Sequence, residues 1–228
     1  MTAMASPVAR AQLVAMLLLA ASSPARAQSA CPQSTLQFPG GAPILTTTPT
    51  FDMANGGSWI RGDHRIGEYS LHSPGSLAVT DVVARDRFDV TGVPPGTPVT
   101  VLFKLSVAGF AYTDGCGGSG CCGQLVATLR NGADTSRAVF TGASFSGRGS
   151  FSGVVFLPVT LIAGTPRTLE VEMSARRCPG GAHTVDSTGD LEFDGPDPSA
   201  AVVSCKGFGP QAVPVLPASW GRIKLIYR

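Results

Sequence analysis

The chain has 228 residues, 17 basic against 15 acidic, with 28 glycines, 18 prolines, six cysteines and only 7% aromatic residues. That length can bury a sizeable core, as one large sandwich or two small domains. A charge this close to neutral excludes nucleic acid or anionic lipid as the main partner, because both demand a basic surface.

In chain order, the first element is an export signal. Arg10 precedes an apolar run, Leu13 to Ala21, and small residues then lead to Ala25-Arg26-Ala27. The run is shorter than the roughly 20 residues needed to span a bilayer, and A-x-A is the pattern signal peptidase cuts. Residues 1–27 are therefore expected to be a signal peptide, cleaved after Ala27, with no cysteine at the cut for a lipid anchor. Cleavage would remove two of the 17 basic residues, Arg10 and Arg26, and no acid, leaving 15 of each sign. The protein is expected to be secreted or held at the cell surface, with no membrane span after cleavage.

Residues 28–209 read as one β-sandwich domain. Helical periodicity is nearly absent, whereas Val99 to Val107 alternates apolar and mostly polar residues. Thr168 to Ser174 and Asp190 to Asp194 do the same. Successive side chains on a strand point to opposite faces, so this rhythm means one buried and one wet face. Pro94-Pro95-Gly96, Asn131-Gly132 and Gly164-Thr165-Pro166 supply the turns between runs. Nine to eleven short strands are predicted after residue 40. The fold class expected is all-β: an antiparallel sandwich, jelly-roll-like or Greek-key, held by disulfides.

Cys31, Cys116, Cys121, Cys122, Cys178 and Cys205 all follow the signal. An even count in an exported chain implies disulfides, and six cysteines allow 15 pairings. If successive strands reverse direction from 99–112 onward, the 113–123 loop, Cys178 and the end of the strand reaching Cys205 share one pole. The expectation is that Cys178 or Cys205 is bonded into that Gly-rich loop. A zinc reading fits the spacing poorly, since adjacent cysteines rarely chelate one ion.

Beyond residue 209 the character changes. Residues 210–228 combine a Pro-rich linker with a cationic end, in which Trp220, Arg222, Lys224, Tyr227 and Arg228 would form a docked final element or a sorting tag.

Phe88 to Val99, Gly164 to Val171, and Thr188 to Phe193 followed by Val202 to Phe208 carry a resemblance. Their order of strands and turns resembles exported β-sandwich proteins among the PEP-CTERM-type surface proteins of Gram-negative bacteria, over roughly residues 77–208. The resemblance implies a surface role and brings no catalytic residues with it. The chain departs from that pattern at its end, which has neither a Pro-Glu-Pro motif nor an apolar span.

Candidate chemistry is sparse. No Gly-x-Ser-x-Gly elbow occurs, and oxidised cysteines would leave no thiol nucleophile. His64, Glu68 and His72 are spaced by four. On a strand, residues four apart lie about 13 Å from each other, too far for one metal, so they read as ordinary surface residues. No resident cofactor is expected. Calcium is the one ion the acidic turn invites, with Asp194 and Asp197 flanking Gly195-Pro196. Sugars stack on exposed rings, which makes Trp59, Tyr69, Phe110 and Tyr112 the candidate ligand-binding residues.

The function expected is a non-catalytic secreted or cell-surface module with a structural, adhesive or ligand-binding role, its partner an extracellular glycan or cell-envelope component. The alternatives are a jelly-roll carbohydrate-active enzyme or carbohydrate-binding module, and a calcium-stabilised adhesin-like domain.

Overall fold

Alternating side chains dictate the architecture, and the computed structural model shows it over residues 30–74, 79–114, 123–142, 147–176, 182–194 and 200–209. The first compact unit, Met1–Ala30, falls almost wholly outside those residues, as does 210–228. So do Cys116, Cys121, Cys122, Cys178 and Asp197.

The described residues form strands β1 (Ser34–Gln37), β2 (Ile44–Thr46), β3 (Thr50–Asn55), β4 (Ser58–Asp63), β5 (Glu68–Pro74), β6 (Thr80–Thr91) and β7 (Pro98–Asp114). They continue with β8 (Gln124–Asn131), β9 (Asp134–Thr141), β10 (Gly147–Ile162), β11 (Arg167–Arg176), β12 (Ala182–Asp194) and β13 (Ala201–Ser204). One sheet runs β2-β1-β6-β11-β8-β9, with β13 also on β6; the other runs β10-β7-β12-β5-β4-β3. From β5 to β7 and from β10 to β13 the chain changes sheet at every step, which is the connectivity of a jelly roll.

The strands are longer than the sequence reading anticipated: β7 has 17 residues and β10 has 16. Glycines that look like breaks lie inside them. Gly189 faces inward on β12, where a Cβ would overlap the Met173 sulfur, so this glycine permits close packing of the sheets. The core between the sheets is apolar and centred on Leu36, Ile60, Leu71, Phe88, Phe103, Leu105, Leu125, Leu129 and Met173. Phe103 meets Phe88 at 5.1 Å and Phe193 at 5.9 Å between ring centroids. Phe208 meets Phe88 and Phe193 at 5.9 Å and 5.6 Å. Such edge-on aromatic contacts add about 0.5–1.5 kcal/mol each beyond burial.

Among the described residues Cys31 is bonded to Cys205, which corrects one arm of the expectation that Cys178 or Cys205 enters the 113–123 loop, the Cys178 arm lying outside those residues. The reason is strand length. β13 starts opposite Thr91 and stops opposite Phe88, so it covers only the lower third of β6 and never reaches the pole near Thr80. β1 occupies the same edge of β6 higher up, opposite Asp81 to Val83. Both are antiparallel to β6 and therefore collinear, and the disulfide joins them end to end.

Candidate functional site

Two polar constellations stand out, one inside the sandwich and one on its surface. The inner one corrects two expectations. His64 and Tyr69, read from sequence as a surface residue and a sugar platform, are 1% and 3% exposed. His64 lies in the turn after β4, Tyr69 on the core face of β5 two residues before Leu71.

Burial, and secondarily the charge of Lys206, push the His64 imidazole down to about 3, so it is neutral. Burial lowers the Lys206 amine to about 8, and it still carries its proton at neutral pH. Its Nζ donates to Ser34 Oγ at 2.9 Å and to His64 Nε2 at 3.3 Å. Nε2 is therefore the acceptor, and the ring proton on Nδ1 is donated to Tyr69 Oη at 3.1 Å. Ser34 Oγ also accepts from the Arg85 N–H at 3.1 Å and donates towards Nε2 across 3.0 Å. Beside it, Asp86 accepts from Ser204 Oγ and from the Arg87 and Lys206 N–H groups, at 2.7 and 3.1 Å. Burial holds its carboxyl above the usual range.

A serine hydroxyl directed at a histidine is the start of a nucleophilic dyad. Here the space beside His64 and Tyr69 is too narrow for a water molecule. The network's chemistry is therefore structural, tying β1, the β4–β5 turn and residues 204–208 together.

The outer constellation lies on the solvent face of the six-stranded sheet. Register aligns Trp59, His72, Asp186, Phe110 and Ser150 in one row across β4, β5, β12, β7 and β10. Trp59 stacks on His72, with centroids 5.7 Å apart and planes 10° from parallel. The His72 Nδ1–H donates to Asp186 Oδ1 at 2.5 Å. Arginines sit over both aromatic rings: Arg61 lies 4.9 Å from the Trp59 centroid and Arg148 lies 3.6 Å from that of Phe110. Phe110 and Trp59 are thus half-covered supports for guanidinium groups as well as aromatic surface, while Tyr112, opposite Arg148, is 44% exposed.

Below this row the sheet dips. An open depression of about 500 Å³ is lined by Thr50, Asp52, Arg61, Glu68, Ser70, Thr188 and Asp190, among others. Short side chains make the floor, Ser70 on β5 opposite Thr188 on β12. Arg61 pairs with Asp52 at 2.9 Å, and Asp63 with Arg65 at 2.6 Å, which holds the Asp63 carboxyl below its usual range. Glu68 and Asp190 are directly opposed, which places their Cβ atoms about 4.5–5.5 Å apart. No ion pair joins either of them to another described residue.

The His64, Glu68 and His72 trio does not converge, because His64 faces the core and His72 the solvent. Asp194 is ion-paired with Lys104. Among the described residues no three His, Cys, Asp or Glu side chains gather round a common point. Phe110 and Tyr112 were legible as outward-facing from strand alternation. Glu68, Ser70, Thr188 and Asp190 were not, since only the cross-strand register shows that they are neighbours. A scan against protein-family models and a search of curated proteins both find no match to this chain.

Proposed function

We propose that the chain is a non-catalytic, exported, ligand-binding module that holds a hydroxyl-rich ligand of the glycan class on the outer face of its six-stranded sheet. The observation that carries this reading is the depression floored by Ser70 and Thr188. It is edged by Arg61 and by the opposed carboxylates of Glu68 and Asp190, with Trp59 one row away. Sugars are recognised by short polar side chains that hydrogen-bond hydroxyls beside an aromatic surface. The Cys31–Cys205 bond supports an oxidising compartment, consistent with the export signal read at residues 1–27.

Among the described residues, burial raises the carboxyls of Asp81, on the other sheet's outer face, and Asp86, in the core, and neither lines the depression.

The test is a glycan array probed with the purified protein, followed by titration of any hit against Trp59→Ala and the pair Glu68→Gln/Asp190→Asn. Both variants should weaken binding at least about tenfold, the loss of one to two good polar or stacking contacts. The Glu68→Gln/Asp190→Asn pair should leave the melting temperature unchanged, and Trp59→Ala, which loses its stacking on His72, should lower it by a few degrees while the protein stays folded. An array without a binder, a hit indifferent to these changes, or cleavage of the bound glycan would overturn the proposal.

A further inference from the structure

A sheet edge exposes unpaired N–H and C=O groups that template pairing with another chain. Proteins defend such edges with charges, prolines, bulges or very short strands. Among the described residues five strands have an unpaired edge: β2, β13, β9, β3 and β10. Four of them are defended. β2 and β13 have three and four residues, β3 carries Asp52, and β9 carries Asp134 and Arg137.

β10 differs. It is 16 residues long, and from Gly149 to Ile162 it contains no charged residue. It pairs with β7 along its whole length, and no described strand pairs with its other side. On its solvent face Val154 and Phe156 are 42% and 49% exposed, among the most exposed large apolar side chains described. Pro158, which lacks an N–H, is the sole blocking residue and leaves the stretch before it open.

We propose that residues 149–157 of β10 pair antiparallel with the same residues of a second copy, joining two six-stranded sheets edge to edge. The strand's own sequence argues for a copy of itself as the occupant. Antiparallel self-pairing centred on Gly153 sets Val154 opposite Ser152 and Phe156 opposite Ser150 on the outer face. On the inner face it sets Leu157 opposite Gly149 and Val155 opposite Phe151. Three of these four pairs set a large side chain against a small one, and none sets like charges opposite each other. Arg148 falls opposite Pro158, where pairing ends. A single strand pair buries less than the roughly 1,200 Å² of a standard interface, so the dimer is a reversible one.

The experiment is sedimentation velocity of the disulfide-bonded protein over a wide concentration range, with three variants. The unmodified protein should show a concentration-dependent monomer–dimer equilibrium. Val154→Lys should weaken it at least about tenfold by placing a charge in the edge. Ser152→Glu added to Val154→Lys should restore it, because each lysine then faces a glutamate of the other copy. Val139→Lys, an exposed change on the defended strand β9, should leave it unaltered. These side chains are solvent-facing, and unchanged melting temperatures would show that folding is intact. A protein monomeric at every concentration, a dimer indifferent to Val154→Lys, or a double variant that fails to recover would overturn the proposal.

Discussion

Removing the Cys31–Cys205 bond tests how the sandwich is held closed. The bond spans 174 residues, nearly the whole domain. A cross-link stabilises chiefly by denying the unfolded chain its freedom, and for a loop of that size the chain-entropy relation gives about 5 kcal/mol at 25 °C. Domains of this kind have total stabilities of about 5–15 kcal/mol, so the loss would consume a third or more of the reserve. Native contacts at the joint add to the expectation. Ser204, Lys206 and Phe208 all anchor into the body within three residues of Cys205, so a severed chain would still have its end tethered. Urea unfolding of Cys31→Ser/Cys205→Ser, followed by tryptophan fluorescence, should therefore show a loss of about 3–5 kcal/mol in a variant that remains folded. A loss below about 1 kcal/mol, or peptide maps linking Cys205 to another cysteine, would refute the reasoning.

Two further outcomes follow from the core. His64 is held neutral in the fold down to about pH 3, whereas an unfolded histidine takes up a proton near 6.5. The unfolded state therefore binds more protons between these values, and stability should fall as pH drops from 6.5. Lys206 has the complementary effect at the alkaline end. Its folded value near 8 lies below the ordinary 10.5, so stability should rise as pH climbs through that window, until ionisation of Tyr69, pushed above its usual value by burial, reverses the trend beyond about 10. Urea midpoints measured from pH 5 to 10 would check both slopes, with His64→Gln removing the acid one and Lys206→Met the alkaline one. Gly189→Ala should cost about 1–3 kcal/mol, because the new methyl meets the Met173 sulfur and a Leu105 methyl in a filled core; a thermal melt equal to that of the unmodified protein would contradict it.

Much of the sandwich was legible because a two-residue rhythm is a direct image of a sheet with one dry face. Val99, Val101, Phe103, Leu105 and Val107 are all buried. The same rhythm, carried two residues back from Leu71, places Tyr69 in the core, and from Ile60 and Gly62 it points to His64. A tyrosine's polar tip and a histidine's charge suggest solvent only until a buried partner such as Lys206 accounts for them. The staple escaped because strand reversal gives direction and not length: four residues of β13 end well below the pole. The groove escaped because Glu68 and Asp190 are 122 positions apart, and only the register of β5 on β12 makes them neighbours.

The collinearity of β1 and β13 bears on how the molecule can be made. One flank of β6 is completed by residues from opposite extremes of the domain, so the strand that leaves the ribosome first waits for the one that leaves among the last. Until residues 201–205 arrive, β6 has an incomplete neighbour, Ser34 has no ammonium donor and Cys31 has no mate. Productive closure is therefore a late, post-translational event. A polypeptide kept extended until residues 201–205 are available avoids folding with an unpaired, sticky flank on β6.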